Sequence, residues 1–546
     1  MIKKMKFLAV VFFLMLATVM HAQVTTSSMS GSVTDNEGAV IGATVIATHE
    51  PSGTTYGTVT NMEGRYNLNG MRVGGPYTVE VSYIGYGTNT VNNITLSLGE
   101  NYAHNVVLTE QATTLDELVV TAGPITKFTT EKTGAATNIN NRKIENMPSI
   151  NRSMTDITRL SPYASGMSIA AGDGRSTNFT IDGANFNNNF GLSSALPGGG
   201  NPISLDAIEE VQVVVAPFDV RQTNFIGGGV NAITKSGTNS FKGSAYTYFY
   251  NQDLRGNKIG DVDFGERDKE SRNLYGFTLG GPIIKNKLFF FVNGEIEKRP
   301  GQVVTWRPSD NGVANIEQSL SRTSISDMER VKKHLMDNYG YDPGSYNDYP
   351  GDESNRKILA RIDWNINDKN RLSLRYNYTK NEAWNGTNGN STDAGYRNRN
   401  MDRISQYAMA FSNSIYSMDN IVNTYSGELN SRFSNSLSNQ FLVTYSSIKD
   451  MRGSPSAKFP FIDILVGRDG NGIPIIEPYM SAGYELFTWN NGVNNNVLTV
   501  TDNLTYYLNN HKITAGLSYE YQLANNAYMR NGTGYYRYAS VDDFIN

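Results

Sequence analysis

The chain has 546 residues, 52 glycines, 32 tyrosines, no cysteine and a formal net charge of −4. This length exceeds the ~150 residues typical of one domain and indicates several domains, while the lack of cysteine excludes disulfide bridges and thiolate metal sites. The slightly acidic balance provides no basic excess for nucleic acid, so we expect no nucleic-acid partner.

The first 22 residues are predicted to be a signal peptide. Lys3, Lys4 and Lys6 give a basic start, residues 7–19 are almost continuously apolar, and Ala22 is a small residue suited to cleavage. The apolar run is too short for a comfortable spanning helix of ~20 residues. The pattern therefore predicts export with cleavage near Ala22, which leaves a soluble secreted protein or an outer-membrane β-barrel.

Residues 23–110 are predicted to form a small antiparallel β-sandwich. Short β-prone runs alternate with turn residues, at 29–34, 44–48, 56–60, 65–68, 77–84, 94–98 and 103–108. The stretches GSVTDNEGAVIGATV (31–45), TVTNMEGRYNL (58–68) and YTVEVSYIGY (77–86) resemble the carboxypeptidase regulatory-like domain. That resemblance implies a transthyretin-like sandwich without an active site, which we interpret as a spacer or docking module, with sugar binding as the alternative.

A linker, residues 111–123, carries a short β-prone apolar segment that could add as a strand to the sheet edge of another protein. It could equally be the last strand of the first domain or the first strand of the next. The segment resembles the LDEVVVTG stretch of TonB-dependent receptors of the SusC and Oar-like type. The resemblance implies a TonB contact through Leu115, Asp116, Glu117, Leu118, Val119, Val120 and Thr121.

Residues 124–238 are predicted to form an α+β domain. Helical spacing predicts one helix over 138–147, ended by Pro148, and a second over 153–160 with a Ser153–Asp156 capping pair and Ile157 and Leu160 buried. Strands are predicted at 179–181, 211–215 and 230–234. The Asp182-Gly183 pair forms a turn after the first strand, and three successive glycines precede the last.

The segments FTIDG, AIEEVQVVV and GGGVNAITKSG resemble the plug domain of TonB-dependent receptors. The run APFDVRQ (216–222) departs from the motif that commonly follows the strand in that family and looks most like the Oar-like subgroup, so no siderophore substrate is carried over. The resemblance implies plug-motif roles for the following residues: Ile181, Asp182, Gly183, Glu210, Val211, Arg221, Gly227, Gly228, Gly229 and Asn231.

From residue 239 onward, apolar and polar residues alternate with period two, as in Ile358, Ile362 and Trp364 against Lys357 and Arg361. About nine strands are predicted. Short turns (284–286, 367–370, 434–436, 509–510) alternate with long polar stretches (251–271, 298–355, 381–420, 450–496), which is typical of an outer-membrane barrel.

The odd strand number and the polar end SVDDFIN favour an incomplete, N-terminal part of a transmembrane β-barrel over 239–546. The predicted fold class is therefore mainly β: a transthyretin-like sandwich, an α+β plug and a partial antiparallel barrel.

No catalytic, cofactor or metal site is predicted, because the histidines are scattered singly and no nucleophile motif occurs. The resemblance implies a TonB-dependent receptor that imports an oligosaccharide or peptide past its plug. It implies as partners TonB with its inner-membrane energising complex, outer-membrane lipid and a surface lipoprotein. The alternatives are an outer-membrane adhesion or secretion-linked protein of the same architecture, and a secreted multidomain β-sandwich binder.

Overall fold

The protein consists of an N-terminal sandwich, a plug, a nine-stranded sheet and a domain formed by long loops. The structure is a computed structural model that describes residues 24–110, 118–121, 135–149, 151–187, 190–192, 196–215, 217, 219–222, 225–263, 265, 270–389, 402–508 and 511–546. The predicted signal peptide lies outside these residues. Across the described ranges, we find no helix with the length and apolar character needed to cross a membrane.

Two packed sheets form the N-terminal sandwich, as predicted. Its strands are β1 (Ser27–Thr34), β2 (Thr44–His49), β3 (Thr54–Val59), β4 (Arg65–Met71), β5 (Gly74–Ser82), β6 (Asn89–Leu96), β7 (Asn101–Ala103) and β8 (Val106–Val107). Strand β1 pairs with β4, β7 and β8, and the second sheet has the order β3-β2-β5-β6. Alternate residues such as Met29, Val45 and Tyr77 face inward and are fully buried. The strand predicted at 94–98 ends at Leu96, because Leu98 leaves the sheet to contact the plug.

Strand β9 (Leu118–Thr121) extends the second sheet of the sandwich. It pairs in parallel with β6, with Asn89 opposite Leu118 and Asn92 opposite Thr121. The other three residues of the predicted TonB-contact segment, Leu115, Asp116 and Glu117, lie outside the described residues. The described part of this segment is therefore an edge strand of the N-terminal sandwich.

The plug is built on a five-stranded sheet with two short helices. Its elements are β10 (Ala135–Asn140), α1 (Asn141–Asn146), α2 (Met154–Thr158), β11 (Ala164–Ser165), β12 (Ser168–Ile169), β13 (Asn178–Ile181), β14 (Ala184–Asn185), β15 (Ile208–Val215) and β16 (Gly228–Thr234). The sheet order is β10-β15-β16-β13-β14. Strands β13 and β16 run parallel, whereas the other neighbours are antiparallel. All three strands predicted in this domain are present.

Both predicted plug helices are shorter than expected. Residues 138–140 belong to β10 because Asn138 and Ile139 pair with β15, and Asn140 then caps α1 by accepting a hydrogen bond from the Lys143 amide. Ser153 caps α2 in the predicted capping box with Asp156. Ile157 is buried as predicted, but Leu160 lies beyond the helix and is 43% exposed, so its predicted burial is wrong.

All nine predicted barrel strands are present in one antiparallel sheet. They are β17 (Lys242–Asn251), β20 (Ser271–Ile284), β21 (Leu288–Arg299), β24 (Glu353–Asn367), β25 (Asn370–Asn385), β27 (Tyr416–Arg432), β28 (Leu437–Gly453), β31 (Gly492–Leu508) and β32 (His511–Ala527). Each strand pairs with the next in this series. In the described part of the chain, β17 and β32 are the outer strands and do not pair with each other.

Side chains of the barrel strands alternate between two faces, as period two predicts. Along β24, Lys357, Arg361 and Asp363 are buried on the face toward the plug, whereas Ile358 and Trp364 are 51% and 40% exposed on the other face. The plug core includes four apolar residues of the barrel wall, Phe291, Leu359, Val422 and Ile448. The plug therefore packs against the polar face of the sheet, and the apolar face points away from it.

The long polar stretches between barrel strands, and the residues after β32, contain more structure than predicted. Their elements are β18 (Lys258–Ile259), β19 (Val262–Asp263), β22 (Arg307–Ser309), β23 (Leu320–Ser324), α3 (Ile325–Tyr339), β26 (Met409–Ala410), β29 (Phe461–Leu465), β30 (Pro478–Ala482), β33 (Tyr535–Tyr538) and α4 (Val541–Ile545). Strands β26, β30, β29 and β33 form a separate sheet. Met328, Val331 and Leu335 of α3 share a buried core with this sheet and α4. We call the unit formed by 300–352, 386–389, 402–415, 454–491 and 528–546 the loop domain.

Candidate functional site: the plug and the barrel wall

Asp182 of the plug lies at the centre of a buried polar contact with the barrel wall. The residue follows β13 in a left-handed turn, with a φ of 50°, and its carboxylate accepts hydrogen bonds from the Thr234 amide at 3.1 Å and hydroxyl at 2.6 Å. One carboxylate oxygen lies 3.8 Å from Nη1 of Arg361 and 3.6 Å from Nε of Arg375. The turn that the FTIDG segment predicts therefore directs a carboxylate at two barrel arginines.

Each of these arginines also has an acidic partner on the barrel wall. Arg361 donates to both carboxylate oxygens of Asp363 at 2.8 and 2.9 Å, and Arg375 donates to Glu428 at 3.0 Å. Arg361 also donates to the Thr234 carbonyl at 2.7 Å. All of these charged side chains are buried, where removal of one partner leaves an uncompensated charge. The cluster therefore stabilises the docking of the plug on the wall only when the charged groups of both surfaces remain paired.

Tight packing at Gly227 and Gly228 fixes β16 against the β11–β12 hairpin. A Cβ atom on Gly227, whose φ is 94°, would lie 2.4 Å from the carbonyl oxygen of Ile169. A Cβ on Gly228 would lie 2.4 Å from the Ile169 side chain and 2.5 Å from the carbonyl oxygen of Val214. At Gly229 the nearest atoms are 3.4 Å away, an ordinary contact. Two of the three predicted glycines are therefore required by close approach of the backbone.

Glu210 contacts the N-terminal sandwich and not the barrel. Its carboxylate accepts hydrogen bonds from the Leu98 amide at 2.9 Å and from the Asn138 side chain at 2.8 Å, and Gln212 donates to the Leu98 carbonyl at 2.7 Å. Burial of the carboxyl group raises the pKa of Glu210 from 4.5 to about 7, although the Leu98 and Asn138 hydrogen bonds oppose the increase. Asn138 also donates to the Leu98 carbonyl at 3.1 Å, so a single residue of the sandwich is bound by three plug side chains.

We expect the contribution of Glu210 to the stability of the fold to fall as the pH rises. A carboxyl group whose pKa is higher in the folded state stabilises the fold fully below pH 4.5, and this contribution is lost as the pH rises through about 7. The gap between the two pKa values corresponds to about 3 kcal/mol at most.

The test is thermal unfolding of the detergent-solubilised protein between pH 5 and pH 8. Glu210→Gln should remove this part of the pH dependence because an amide group does not titrate. The contact should remain, since the amide oxygen still accepts from Leu98. Glu63→Gln, at an exposed turn of the sandwich, should behave as wild type. An equal change in Tm for wild type and Glu210→Gln would contradict the assignment.

The remaining predicted plug residues fall into two groups. Ile181 and Val211 are buried in the plug core, and Asn231 accepts a hydrogen bond from the Thr180 hydroxyl at 2.8 Å beside the Asp182 turn. Arg221 lies apart from the cluster and pairs with Asp219 of its own turn at 2.7 Å. The structure thus brings Ile181, Asp182, Gly183 and Asn231 together but places Arg221 elsewhere.

The barrel partners of the plug were not predicted as site residues. Arg361, Arg375, Asp363 and Glu428 appear in the sequence only as members of the polar face of alternating strands. A second buried pair of this kind joins Lys357 to Glu295 at 2.8 Å, and Glu295 accepts from the plug hydroxyl of Ser204, also at 2.8 Å. One sequence signal could have identified these residues. Oppositely charged residues are frequent at the alternate positions of the strands that are expected to face the lumen.

A cavity of about 940 Å³ lies between the sandwich, the plug and the barrel wall. Its lining includes Arg72 of the sandwich, Glu209 and Lys235 of the plug, and Arg371 and Ser373 of β25. Within the described residues, no group of three His, Asp or Glu side chains is placed to hold a metal ion. The lining thus combines charged and polar side chains from all three units.

Comparison with family models identifies two parts of the chain. Residues 28–109 match the carboxypeptidase regulatory-like domain. Residues 233–308 and 323–544, more than half of the chain, match the outer membrane beta barrel domain. The chain belongs to the outer membrane beta barrel family. As a member of this family it is an outer-membrane protein, and the apolar faces of its nine strands face lipid.

Individual relatives of this outer-membrane barrel include the TonB-dependent transporter Oar of Myxococcus xanthus. The two are 24% identical over 341 residues, which covers 59% of this chain and 30% of that relative. The chain thus spans less than a third of that protein. The predicted resemblance to TonB-dependent outer-membrane receptors with a carboxypeptidase regulatory-like domain is confirmed.

Solved structures with a similar fold include the outer membrane transporter YddB from Escherichia coli. It is 13% identical, with a TM-score of 0.47, over 71% of this chain and 48% of that one. The siderophore receptor PirA from Pseudomonas aeruginosa is 14% identical, with a TM-score of 0.42, over 72% of this chain and 48% of that one.

Proposed function

We propose that this outer-membrane protein imports a ligand past its plug, with energy supplied by TonB from the periplasm. The observation that carries the proposal is the plug seated on the polar face of the barrel strands through Asp182, Arg361 and Arg375. A plug that is held by a few buried polar contacts can be displaced as a unit when those contacts are broken. No covalent step is required of any residue of the chain.

The proposed ligand is an oligosaccharide or a peptide. The barrel wall near the plug carries amide and hydroxyl side chains, such as Asn355, Asn377, Thr379 and Asn381, that are buried on the lumen face. Asn355, Asn377 and Thr379 donate to the plug carbonyls of Gly198 and Pro202, and displacement of the plug would free them for a ligand rich in hydroxyl or amide groups. The loop domain covers the rim with the long connections, which in such barrels faces the outside. A surface lipoprotein is a proposed partner at this rim.

Energy coupling is assigned to the segment 115–121. Its described part, Leu118–Thr121, is an edge strand whose pairing with β6 uses one side of its backbone. Addition of a TonB strand needs backbone donors and acceptors and tolerates changes of side chain. The proposed partner is therefore recognised through the main chain, and the inner-membrane energising complex acts through it.

The test is binding of the purified periplasmic domain of TonB to the detergent-solubilised protein. Deletion of 115–121 should abolish binding, and Val119→Pro should weaken it about tenfold or more, because proline removes a backbone donor. Val119→Ala keeps the backbone and serves as the matched control. In cells, the deletion should abolish growth on defined oligosaccharide or peptide mixtures that support the wild type. Unchanged growth and unchanged TonB binding in the deletion variant would refute the coupling role.

A further inference from the structure

We propose that the N-terminal sandwich, residues 24–110, is a second gate of this transporter. It is docked over the rim of short turns, where it closes the mouth of the lumen behind the plug, and it has to leave this rim before a ligand can pass. The inference rests on the transport role proposed above. It assigns a function to a domain that otherwise has only a fold.

Contacts on one side of the rim involve β24 and β25. The Arg371 guanidinium lies 4.0 Å from the ring of Tyr56 and donates to the Thr55 carbonyl at 2.6 Å. Asn365 donates to the Thr54 hydroxyl at 3.0 Å. All three sandwich residues belong to β3, so one edge of the sandwich is held by two neighbouring barrel strands.

Contacts on another part of the rim involve β27, β28 and β31. Asn69 donates to the Ser438 hydroxyl at 3.0 Å and accepts from the Tyr507 hydroxyl at 2.6 Å. The Thr25 hydroxyl donates to Glu428 at 2.5 Å. Glu428 is also the partner of Arg375 in the plug contact. The sandwich therefore reaches across the rim and touches the same charged cluster that holds the plug.

The sandwich also lines the space beneath the plug. Arg72 lies 5.4 Å above the ring of Phe289 in β21 and donates to Ser236 at the end of the plug at 3.2 Å. Behind it is the cavity of about 940 Å³, which is lined by all three units. Departure of the sandwich from the rim would therefore open this chamber further to the periplasm.

The chemistry of the interface favours release over permanent docking. The barrel contacts named above are single hydrogen bonds and cation–π pairs, and the apolar contact with the plug is a small cluster of Val24, Leu98 and Ile233 with Val73 packed against it. Interfaces between domains that move are smaller and more polar than a domain core. Strand β9, the described part of the proposed TonB contact, is paired with β6 of this same domain. A pull on that strand therefore acts first on the gate.

The test measures access to the chamber and needs neither ligand nor TonB. Because the chain has no cysteine, Ser373→Cys places a single thiol in the chamber lining. The rate of its modification by a bulky polyethylene-glycol maleimide is measured in outer-membrane preparations of the full chain. The rate is compared in three backgrounds: wild type, Thr25→Ala with Asn69→Ala, and the matched control Asn36→Ala with Thr88→Ala at exposed positions of the sandwich.

We expect slow modification in the wild type and the control, and modification about tenfold faster in Thr25→Ala with Asn69→Ala, since loss of the rim contacts shifts the docked population. Equal rates in all three backgrounds, whether slow or fast, would overturn the gate. Heat-modified migration of each variant establishes that the barrel is folded. The labelling experiment can fail while the TonB-binding test succeeds, and the reverse, so the two proposals are separable.

Discussion

Asp182→Ala is expected to release the plug from the barrel wall. The substitution removes the acceptor for the Thr234 amide and hydroxyl and deprives Arg361 and Arg375 of the plug carboxylate, although Arg361 still donates to the Thr234 carbonyl. Loss of one partner from a buried ionic contact costs about 3–5 kcal/mol, and the retained pairs with Asp363 and Glu428 place this case at the lower end of that range. We therefore expect the free energy of unfolding of the plug to fall by about 3 kcal/mol.

The measurement for Asp182→Ala is the urea concentration at which the plug of the detergent-solubilised protein becomes sensitive to protease. The midpoint should fall clearly below that of the wild type. Asp219→Ala is the matched control, because Asp219 is a plug aspartate whose partner, Arg221, belongs to its own turn. A midpoint for Asp182→Ala equal to that of Asp219→Ala would show that the cluster does not secure the plug.

Gly228→Ala is expected to disrupt the plug sheet itself. A single methyl group at this position would lie 2.5 Å from the Val214 carbonyl oxygen and 2.4 Å from the Ile169 side chain. Because the first of these atoms is backbone in the neighbouring strand β15, relief requires β15 and β16 to separate. Overpacking of an ordinary core costs about 1–3 kcal/mol, and a backbone clash places this substitution at or above the upper limit.

The adjacent position provides the control for Gly228→Ala. At Gly229 the nearest atoms to a new Cβ are 3.4 Å away and φ is not in the left-handed region, so Gly229→Ala should leave the plug intact. Limited proteolysis of the two variants at the same temperature should cleave the Gly228→Ala plug rapidly and spare the other. Equal resistance of both variants would contradict the packing described for β16.

The strands were predictable because local pattern and tertiary environment agree. Along β24, apolar Ile358 and Trp364 alternate with polar Lys357 and Arg361. Because one face of the strand contacts lipid and the other a polar lumen, this alternation determines which side chains lie on each face. The plug strand predicted at 211–215 from an apolar β-branched run is present and is three residues longer, Ile208–Val215. The start of the predicted helix at 138–147 was wrong because pairing with β15 overrides helical spacing at Asn138 and Ile139.

The loop domain was missed although part of its signal is local. Ser324 caps α3 through the Asp327 amide, Met328, Val331 and Leu335 follow at helical spacing, and Gly340 ends the helix with a φ of 62°. The polar average of residues 298–355 obscured this pattern. The end SVDDFIN likewise contains α4, whose Val541 and Phe544 are buried against the loop domain.

The polar contacts of the site could not be predicted, because they join residues far apart in the chain. Thr25 reaches Glu428, and Asp182 reaches Arg361 and Arg375, through a docking of units that no local pattern specifies. Sequence resemblance identified Asp182 and Gly228 as plug residues but not what each one contacts. The partners became evident only from the placement of the plug on the lumen face.

The most direct test of the account is the accessibility of spin labels along β25 in outer-membrane preparations. Single cysteines at Leu374 and Asn377 in the cysteine-free chain sample the two faces of the strand, which are 47% and 5% exposed. We predict that a label at Leu374 is relaxed by oxygen dissolved in lipid and is shielded from a water-soluble nickel complex, whereas a label at Asn377 is shielded from both by the plug. Free access of the nickel complex to both positions would contradict a plugged barrel in the outer membrane.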